Sequence, residues 1–283
     1  MAQSKFKQVD IKSNKNPRLI ALEIWILIFY NHKKLEDTIN NSFDFNKLDK
    51  RDRSFVYLIL NTSMRRHKQV EVIYNKYAKF GIKKRNRYLN GILTIATIQL
   101  IWLKTAPYAV LNDAVNQARK FGGENQSKLV NGLLRSMLEN EEQWSKLMPD
   151  EKYNLPEWLF KSWVSSYGEK NVEEIVNIAM APPPLDIIIS KRITQKDKEE
   201  LKLNLLGEEI FPNVIRSNLN GPIDNLPRYL DGIWWIQDAA SQIPCNLLLS
   251  KLTNYFTKEI KALRILDLCC APGGKTAQLL DNN

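Results

Sequence analysis

Apolar positions change their period several times along the chain, and each change marks a different kind of element. Residues 1–15 are polar, lysine-rich and aperiodic, which predicts a disordered tail. Asn16 and Pro17 then make a helix entry, with asparagine as cap and proline at the first helical position, where its missing N–H costs nothing. Leu19, Ile20, Leu22, Ile24, Trp25, Ile26, Leu27, Ile28 and Phe29 follow, apolar on nearly all sides, so this helix is expected at the centre of a bundle. Asp49 or Asp52 can cap a second long helix carrying Phe55, Val56, Leu58, Ile59, Leu60 and Met64. A third helical run covers Tyr88 to Leu103, and a fourth runs from Pro107 to Gly122, a glycine suited to a C-cap.

The pattern changes after Met148-Pro149-Asp150. A helix through Ile175 and Ile178 must stop at Ala181-Pro182-Pro183-Pro184, because each proline removes a donor and disfavours helix before it. Leu185–Ile189 and Gly232–Ile236 read as strands. Ala239 to Leu252 reads as a helix across Pro244, with Leu247, Leu248 and Leu249 facing inward. Ile265, Leu266, Leu268 and Cys269 form a short apolar run expected as a strand buried on both faces, as in a parallel sheet. A small-residue loop and a helical pattern from Lys275 follow. The expected division is a tail at 1–15, a helical domain at 16–148, a small α/β linker domain at 149–225 and the start of a Rossmann-type domain at 226–283.

Composition narrows the setting. The 283 residues, 44% apolar, have room for about two domains. The cysteines Cys245, Cys269 and Cys270 give neither a disulfide framework nor zinc-ligand spacing, which points to reduced thiols and a cytoplasmic location. His32 and His67 stand apart from other ligand types and read as surface or capping residues, so no metal site is expected. No signal-peptide pattern opens the chain, and the run Ile24–Tyr30 falls far short of the ~20 residues that span a bilayer, so no membrane partner is expected.

The net charge of +10 is unevenly placed: residues 1–100 hold 20 Lys and Arg against 8 Asp and Glu. Arg65-Arg66-His67-Lys68 and Lys83-Lys84-Arg85-Asn86-Arg87 lie near Tyr74, Tyr77, Phe80 and Tyr88 in sequence. Phosphate attraction with base stacking makes RNA the leading partner. Each cluster alone reads equally well as a solvated helix face; the asymmetry favours RNA.

The most specific chemistry lies at Asp267-Leu268-Cys269-Cys270-Ala271-Pro272-Gly273-Gly274-Lys275-Thr276. A carboxylate at a strand's carboxyl end faces the crevice where α/β sheets bind ligands. Gly273 and Gly274 let the backbone turn and approach a ligand, Pro272 stiffens the bend, and the following helix offers its first N–H groups to the loop. Gly274-Lys275-Thr276 looks like the end of a P-loop, but Cys269 occupies the place of that motif's first glycine, and G-x-G-x-x-G is absent as well.

This loop, preceded by Ile236-Gln237-Asp238-Ala239-Ala240-Ser241-Gln242, resembles the RsmB/Fmu branch of the Nol1/Nop2/Sun family, S-adenosylmethionine-dependent RNA cytosine-5 methyltransferases acting on 16S ribosomal RNA. The branch's usual Cys-Ala-Ala-Pro-Gly-Gly-Lys has Cys270 at its second place here. The segments Pro107–Gly122 and Val130–Leu134 resemble the NusB helical domain that opens such enzymes. The expected fold is thus an all-α NusB-like bundle, a small α/β linker domain and the start of a truncated Rossmann-type methyltransferase domain.

The resemblance implies that Cys269, Cys270, Ala271, Pro272, Gly273, Gly274 and Lys275 wrap the methionine and ribose of S-adenosylmethionine, with Cys269 and Cys270 as packing residues. In the linker, the family's basic strand is replaced by one with Asp186 and Ile188, so an RNA contact there does not carry over. Family members place the cysteine that attacks C6 of the cytosine, and a second that helps release product, downstream of the loop. No catalytic residue is therefore expected here: Pro244-Cys245 precedes the loop and reads as a chance dipeptide in a helix. The expectation is a chain that is inactive alone and binds cofactor weakly or not at all, its end reflecting a frameshift, an early stop or a split gene with a separately encoded C-terminal fragment as partner. The alternative is a stand-alone NusB-like RNA-binding, transcription-related module with a vestigial cofactor loop.

Overall fold

A computed structural model of the protein describes residues 16–144, 150–219, 223–255 and 264–282; the expected tail at 1–15 lies outside them. The chain forms two compact units that divide between Ala181 and Pro182.

The first unit is helical. Helix α1 (Pro17–Asn31) starts as expected, with the Asn16 side chain accepting from the Arg18 amide, and ends at His32 in the left-handed conformation. Short helices α2 (Leu35–Asn40) and α3 (Phe43–Asn46) lead to α4 (Lys50–Tyr77), whose first turn is capped by Asp49 accepting from the Asp52 amide at 2.8 Å. Helices α5 (Arg87–Ile101) and α6 (Pro107–Glu139) follow. Helix α6 breaks at Gly123 (φ 75°, ψ −172°), one residue beyond the expected stop, because only glycine takes that conformation without a Cβ penalty.

The centre of the bundle is α5, where every residue from Leu89 to Ile101 is buried and which packs on α1, α4 and α6. This corrects the expectation that α1 is central: Leu27 is 40% exposed, and Ile28, Phe29 and Tyr30 are only half-buried. One small residue lets α5 lie close against α1. At Gly91 a Cβ would stand 2.5 Å from Leu22 Cδ1 and 2.9 Å from the Trp25 ring, so α1 and α5 approach closely there. Arg18 fastens the entry of α1, donating from Nε to Gln99 Oε1 at 2.6 Å and pairing with Asp113 on α6 at 2.7 Å.

Helices α7 (Glu157–Tyr167) and α8 (Glu169–Met180) belong to the same unit, sharing a small core of Phe160, Trp163, Val172 and Val176. Asn154 just before them brackets Gln69 on α4, accepting from its backbone amide at 3.1 Å and donating to its Oε1 at 2.8 Å. The compact units therefore part at the triple proline, downstream of Met148-Pro149-Asp150.

The second unit carries an antiparallel sheet in the order β2-β3-β1-β4. Its strands are β1 (Leu185–Ile189), β2 (Gly207–Phe211), β3 (Val214–Ser217) and β4 (Trp234–Ile236). Helix α9 (Gln195–Asn204), capped by Thr194, packs Leu201 against Ile187, Ile189 and Ile215. Helices α10 (Ile243–Tyr255) and α11 (Gly274–Asp281) follow.

Two expectations fail in this unit. Residues 265–269 form no strand: Ile265, Leu266 and Leu268 are 47%, 80% and 84% exposed. The four described strands pair only with one another, all antiparallel, and offer this run no parallel neighbour. On α10, Leu247 and Leu248 point outward, and Cys245 is buried instead. Among the described residues no helix is long and apolar enough to cross a membrane.

Gly91→Ala gains helix propensity but must push the Leu22 and Trp25 side chains out of a close-packed core. The variant is expected to lose about 1–2 kcal/mol in urea unfolding, with its unfolding transition moved to lower denaturant; an unchanged midpoint would show that the α1–α5 contact has slack.

Candidate functional site

Helix α11 begins at Gly273, whose φ of 110° is open to glycine and strained for any other residue. A Cβ at Gly273 would meet nothing within 4 Å, so the turn borders open space. Across the turn, Thr276 Oγ1 donates to Asp267 Oδ2 at 2.8 Å, which closes the segment Asp267–Thr276 into a loop. The carboxylate and the glycines expected to act together are thus together, although the strand expected to carry Asp267 is absent. Cys269 and Cys270 are exposed, not packed. Ala271, Pro272 and Lys275 are exposed too.

Beneath the loop lies a chain of side-chain amides. Trp235 Nε1 donates to Gln237 Oε1 at 2.9 Å; Gln237 Nε2 donates to Gln278 Oε1 at 3.2 Å. Gln278 Nε2 in turn donates to Asn246 Oδ1 at 2.9 Å and to the Gln242 carbonyl at 3.3 Å. Gln237, Gln242 and Gln278 are all buried. Gly274 lies on this layer, since a Cβ there would stand 3.3 Å from Gln237 Cδ. The two sequence segments that carry the resemblance are therefore one structure: the stretch after β4 is the seat on which α11 rests. Sequence reasoning missed Gln278, Asn246 and Trp235; the roles of Gln278 and Asn246 are set by partners about 30 to 40 residues away, while Trp235 bonds Gln237 two residues on.

The far end of α11 is held as firmly. Asp281 accepts from the Lys191 amide at 2.8 Å and from Ser190 Oγ, and Arg192 donates to the Leu280 carbonyl at 2.7 Å. Between these fastenings a cavity of about 310 Å³ opens, lined among others by Ile188, Trp235, Gln242, Asn246 and Asp281. None of Cys269–Lys275 lines it. Cys245 sits at the buried start of α10 with its Sγ 3.8 Å from the Lys275 carbonyl, and burial pushes its thiol up from the usual value. A thiol so placed is a poor thiolate, in keeping with a structural residue.

Asp186, the residue that departs from the family's basic strand, has a structural task. It is 3% exposed and accepts from Arg216 Nε and Nη2 at 2.8 and 3.0 Å and from the Ala239 amide at 3.0 Å. It thereby ties β1, β3 and the seat of α11 together. Paired donation from Arg216 holds its carboxyl below the ordinary carboxylate value.

In the first unit, the aromatic residues expected near the basic clusters divide. Tyr74 is buried and donates to Asn90 Oδ1 at 3.0 Å, and Tyr88 stacks on Phe121 at 4.2 Å, so both serve the core. Phe80 is 90% exposed. Arg66 is engaged within the bundle, its guanidinium 5.6 Å from the Trp102 ring and Nη2 3.3 Å from the Met180 carbonyl. His32 caps α1 as expected, whereas His67 is half-buried and stacks on Phe29 with centroids 4.4 Å apart.

Residues 15–139 match the model of the NusB family. A probable ribosomal RNA small subunit methyltransferase B from Synechocystis sp. is 27% identical over 256 residues, 86% of this chain and 55% of the relative. The chain is similar to proteins named ribosomal RNA small subunit methyltransferase B. The proteins of that name from Xylella fastidiosa (strain Temecula1) and Klebsiella pneumoniae subsp. pneumoniae are each 26% identical, covering 94% and 83% of this chain and 59% and 54% of their own lengths. The chain thus spans between half and three fifths of these methyltransferases. Among solved structures, the crystal structure of PH0851 matches with a TM-score of 0.54 over 95% of this chain and 62% of that one, at 16% identity, a likeness of fold. The family resemblance read from the glycine-bearing loop and the NusB-like helices is borne out by these relatives.

Asp186→Ala leaves the Ala239 amide and the Arg216 fork without their acceptor, and is expected to cost about 2–3 kcal/mol. The folded pKa lies below the unfolded one, so the contribution is complete above the unfolded value near 3.8 and is lost as pH falls through the folded value. Urea unfolding followed from neutral pH into this acid range should show a difference between parent and variant that narrows as pH falls; a constant difference would exclude the ionised pair as its source.

Proposed function

We propose that these residues belong to an S-adenosylmethionine-dependent methyltransferase that modifies C5 of a cytosine in small-subunit ribosomal RNA, the helical unit binding RNA and the second unit contributing the cofactor loop. The reading is carried by one observation: the loop Asp267–Thr276 of the resemblance closes on itself through Thr276 and Asp267 and turns at a glycine facing open space. It is supported by relatives of that name matching 83–94% of the chain, across both units.

The residues present fit one wall of such a cofactor site. Gly273 and Gly274 bring backbone to the surface with no side chain in the way, and a Cβ at Gly273 would project into the space in front of the turn. Cys269 to Lys275 would hold the methionine and ribose end, and the first amides of α11 would face the ligand. When bound, the cofactor supplies an electrophilic methyl group on sulfur. This chain's own residues bind and orient: Gln237 and Gln278 fix the height of α11, Asp267 pins its first turn through Thr276, and Lys275 adds positive charge at the rim. The nucleophile for the pyrimidine is not among Cys245, Cys269 and Cys270. Cys245 is buried with a raised pKa, and the other two belong to the loop.

Cofactor titration followed by amide NMR tests this reading. At millimolar S-adenosylmethionine, shift changes are expected to cluster at residues 269–277 and to vanish in Gly273→Val, whose side chain would occupy the open space. No shifts at these amides, or equal shifts in Gly273→Val, would contradict it.

A further inference from the structure

His67 and Lys68 of one basic cluster and Lys84 of the other come together, in the first unit, around one aromatic cavity. It measures about 210 Å³ and is lined by Trp25, Phe29 and Tyr30 of α1, His67 and Lys68 of α4, and Lys84 of the turn before α5, among others. The rings of Trp25, Phe29 and His67 form a triangular cluster: Phe29 is stacked 4.7 Å from Trp25 and 4.4 Å from His67, and the Trp25 and His67 centroids are 6.1 Å apart. The cavity wall is therefore a small aromatic cluster.

Two polar atoms in this wall are orphaned. Trp25 Nε1 and His67 Nδ1 are buried and have no hydrogen-bond partner among the described residues, although both side chains line the cavity. Trp25 itself is 1% exposed. Folded proteins rarely leave such groups unmet unless water or a ligand reaches them. Neighbouring polar groups, by contrast, are satisfied. Tyr30 Oη donates to the Lys84 carbonyl at 2.8 Å, and Asn90 Nδ2 donates to the carbonyls of Lys83 and Lys84 at 3.0 and 3.3 Å. These bonds fix the backbone that presents the lysines. Burial also holds the His67 imidazole below its usual pKa, so at neutral pH one ring nitrogen donates and the other accepts.

Two cations and one anion line the cavity, Lys68 and Lys84 with Glu71, which pairs with Lys68 at 3.1 Å. Beside Lys84, Lys83, Arg85 and Arg87 are exposed and make the flank basic. Phe80, almost fully exposed, stands on the same connection between α4 and α5. Stacked rings, unpaired polar atoms in a one-ring cavity and flanking cations are the groups that bind unstacked bases of single-stranded RNA. We propose that this cavity takes up one unstacked nucleobase of single-stranded RNA, read by Trp25 and His67, while Lys68 and the Lys83–Arg87 run hold the flanking phosphates. The proposal rests on the RNA-binding reading of the helical unit and deepens it.

The test is fluorescence anisotropy of the full chain with a short labelled single-stranded RNA of mixed sequence and with the same backbone made abasic. Intact RNA is expected to bind roughly five- to a hundredfold more tightly than the abasic strand. His67→Ala should remove most of that difference and leave abasic binding unchanged, while Lys83→Glu with Lys84→Glu should weaken both strands alike. His67→Leu, which retains apolar bulk, serves as the second variant if alanine lowers the melting temperature. Equal affinity for the two strands, or a base preference that survives both His67 variants, overturns the proposal. If binding is equal but falls with the lysine variants, the unit still binds RNA and only the base pocket is refuted. Absence of binding to either strand at low salt refutes both.

Discussion

The second unit depends on buried side-chain amides that water does not reach. Gln237 and Gln278 must find their partners inside, and the chain from Trp235 through Gln237 and Gln278 to Asn246 supplies them, with the backbone carbonyl of buried Gln242 as a further acceptor. Because these bonds are directional, α11 has one favourable position on the segment after β4. Gly274 permits that position by having no side chain, and Gly273 then turns the backbone outward. A buried carboxylate completes the arrangement from below: Asp186 fixes the Ala239 amide, and with it the stretch that carries Gln237 and Gln242. A loop suited to a ligand is thus a consequence of what lies under it.

The first unit solves a different problem. Its core is apolar and its specificity comes from close approach at Gly91 and from a few interior polar groups such as Gln99, which accepts from Arg18. One side is left basic, with an aromatic recess whose nitrogens lack partners among the described residues. A surface of that kind suits a polyanion carrying planar rings. The two units thus meet different physical demands, each as a compact body with its own core.

Much of this was legible in the sequence because it is local. Asn16 with Pro17, Asp49, and the triple proline each act within one turn of helix, and the structure places a boundary at each. The strand at Leu185–Ile189 and the glycine turn were legible for the same reason. What escaped was decided by partners far along the chain. Apolar content suggested α1 as the central helix, but burial went to α5, which packs on three neighbours and approaches α1 closely at Gly91. The run at 265–269 has the composition of a buried strand and no strand beside it among the described residues, so it stays irregular and largely exposed. Leu247 and Leu248 likewise face outward although their type suggested the core. Asp186 looked like a lost RNA contact and is a keystone of the sheet, and His67, read as a surface group, is part of a stack.

The claim that the buried amides, not the loop's own residues, set the position of the glycine turn is tested most directly by hydrogen exchange in the parent and in Gln278→Leu. Leucine keeps the bulk of Gln278 but cannot bond Gln237 or Asn246. The account predicts faster exchange throughout the amides of Gly274–Asp281, with the β1–β3 pairs unchanged. Unaltered protection of that helix in Gln278→Leu would contradict it.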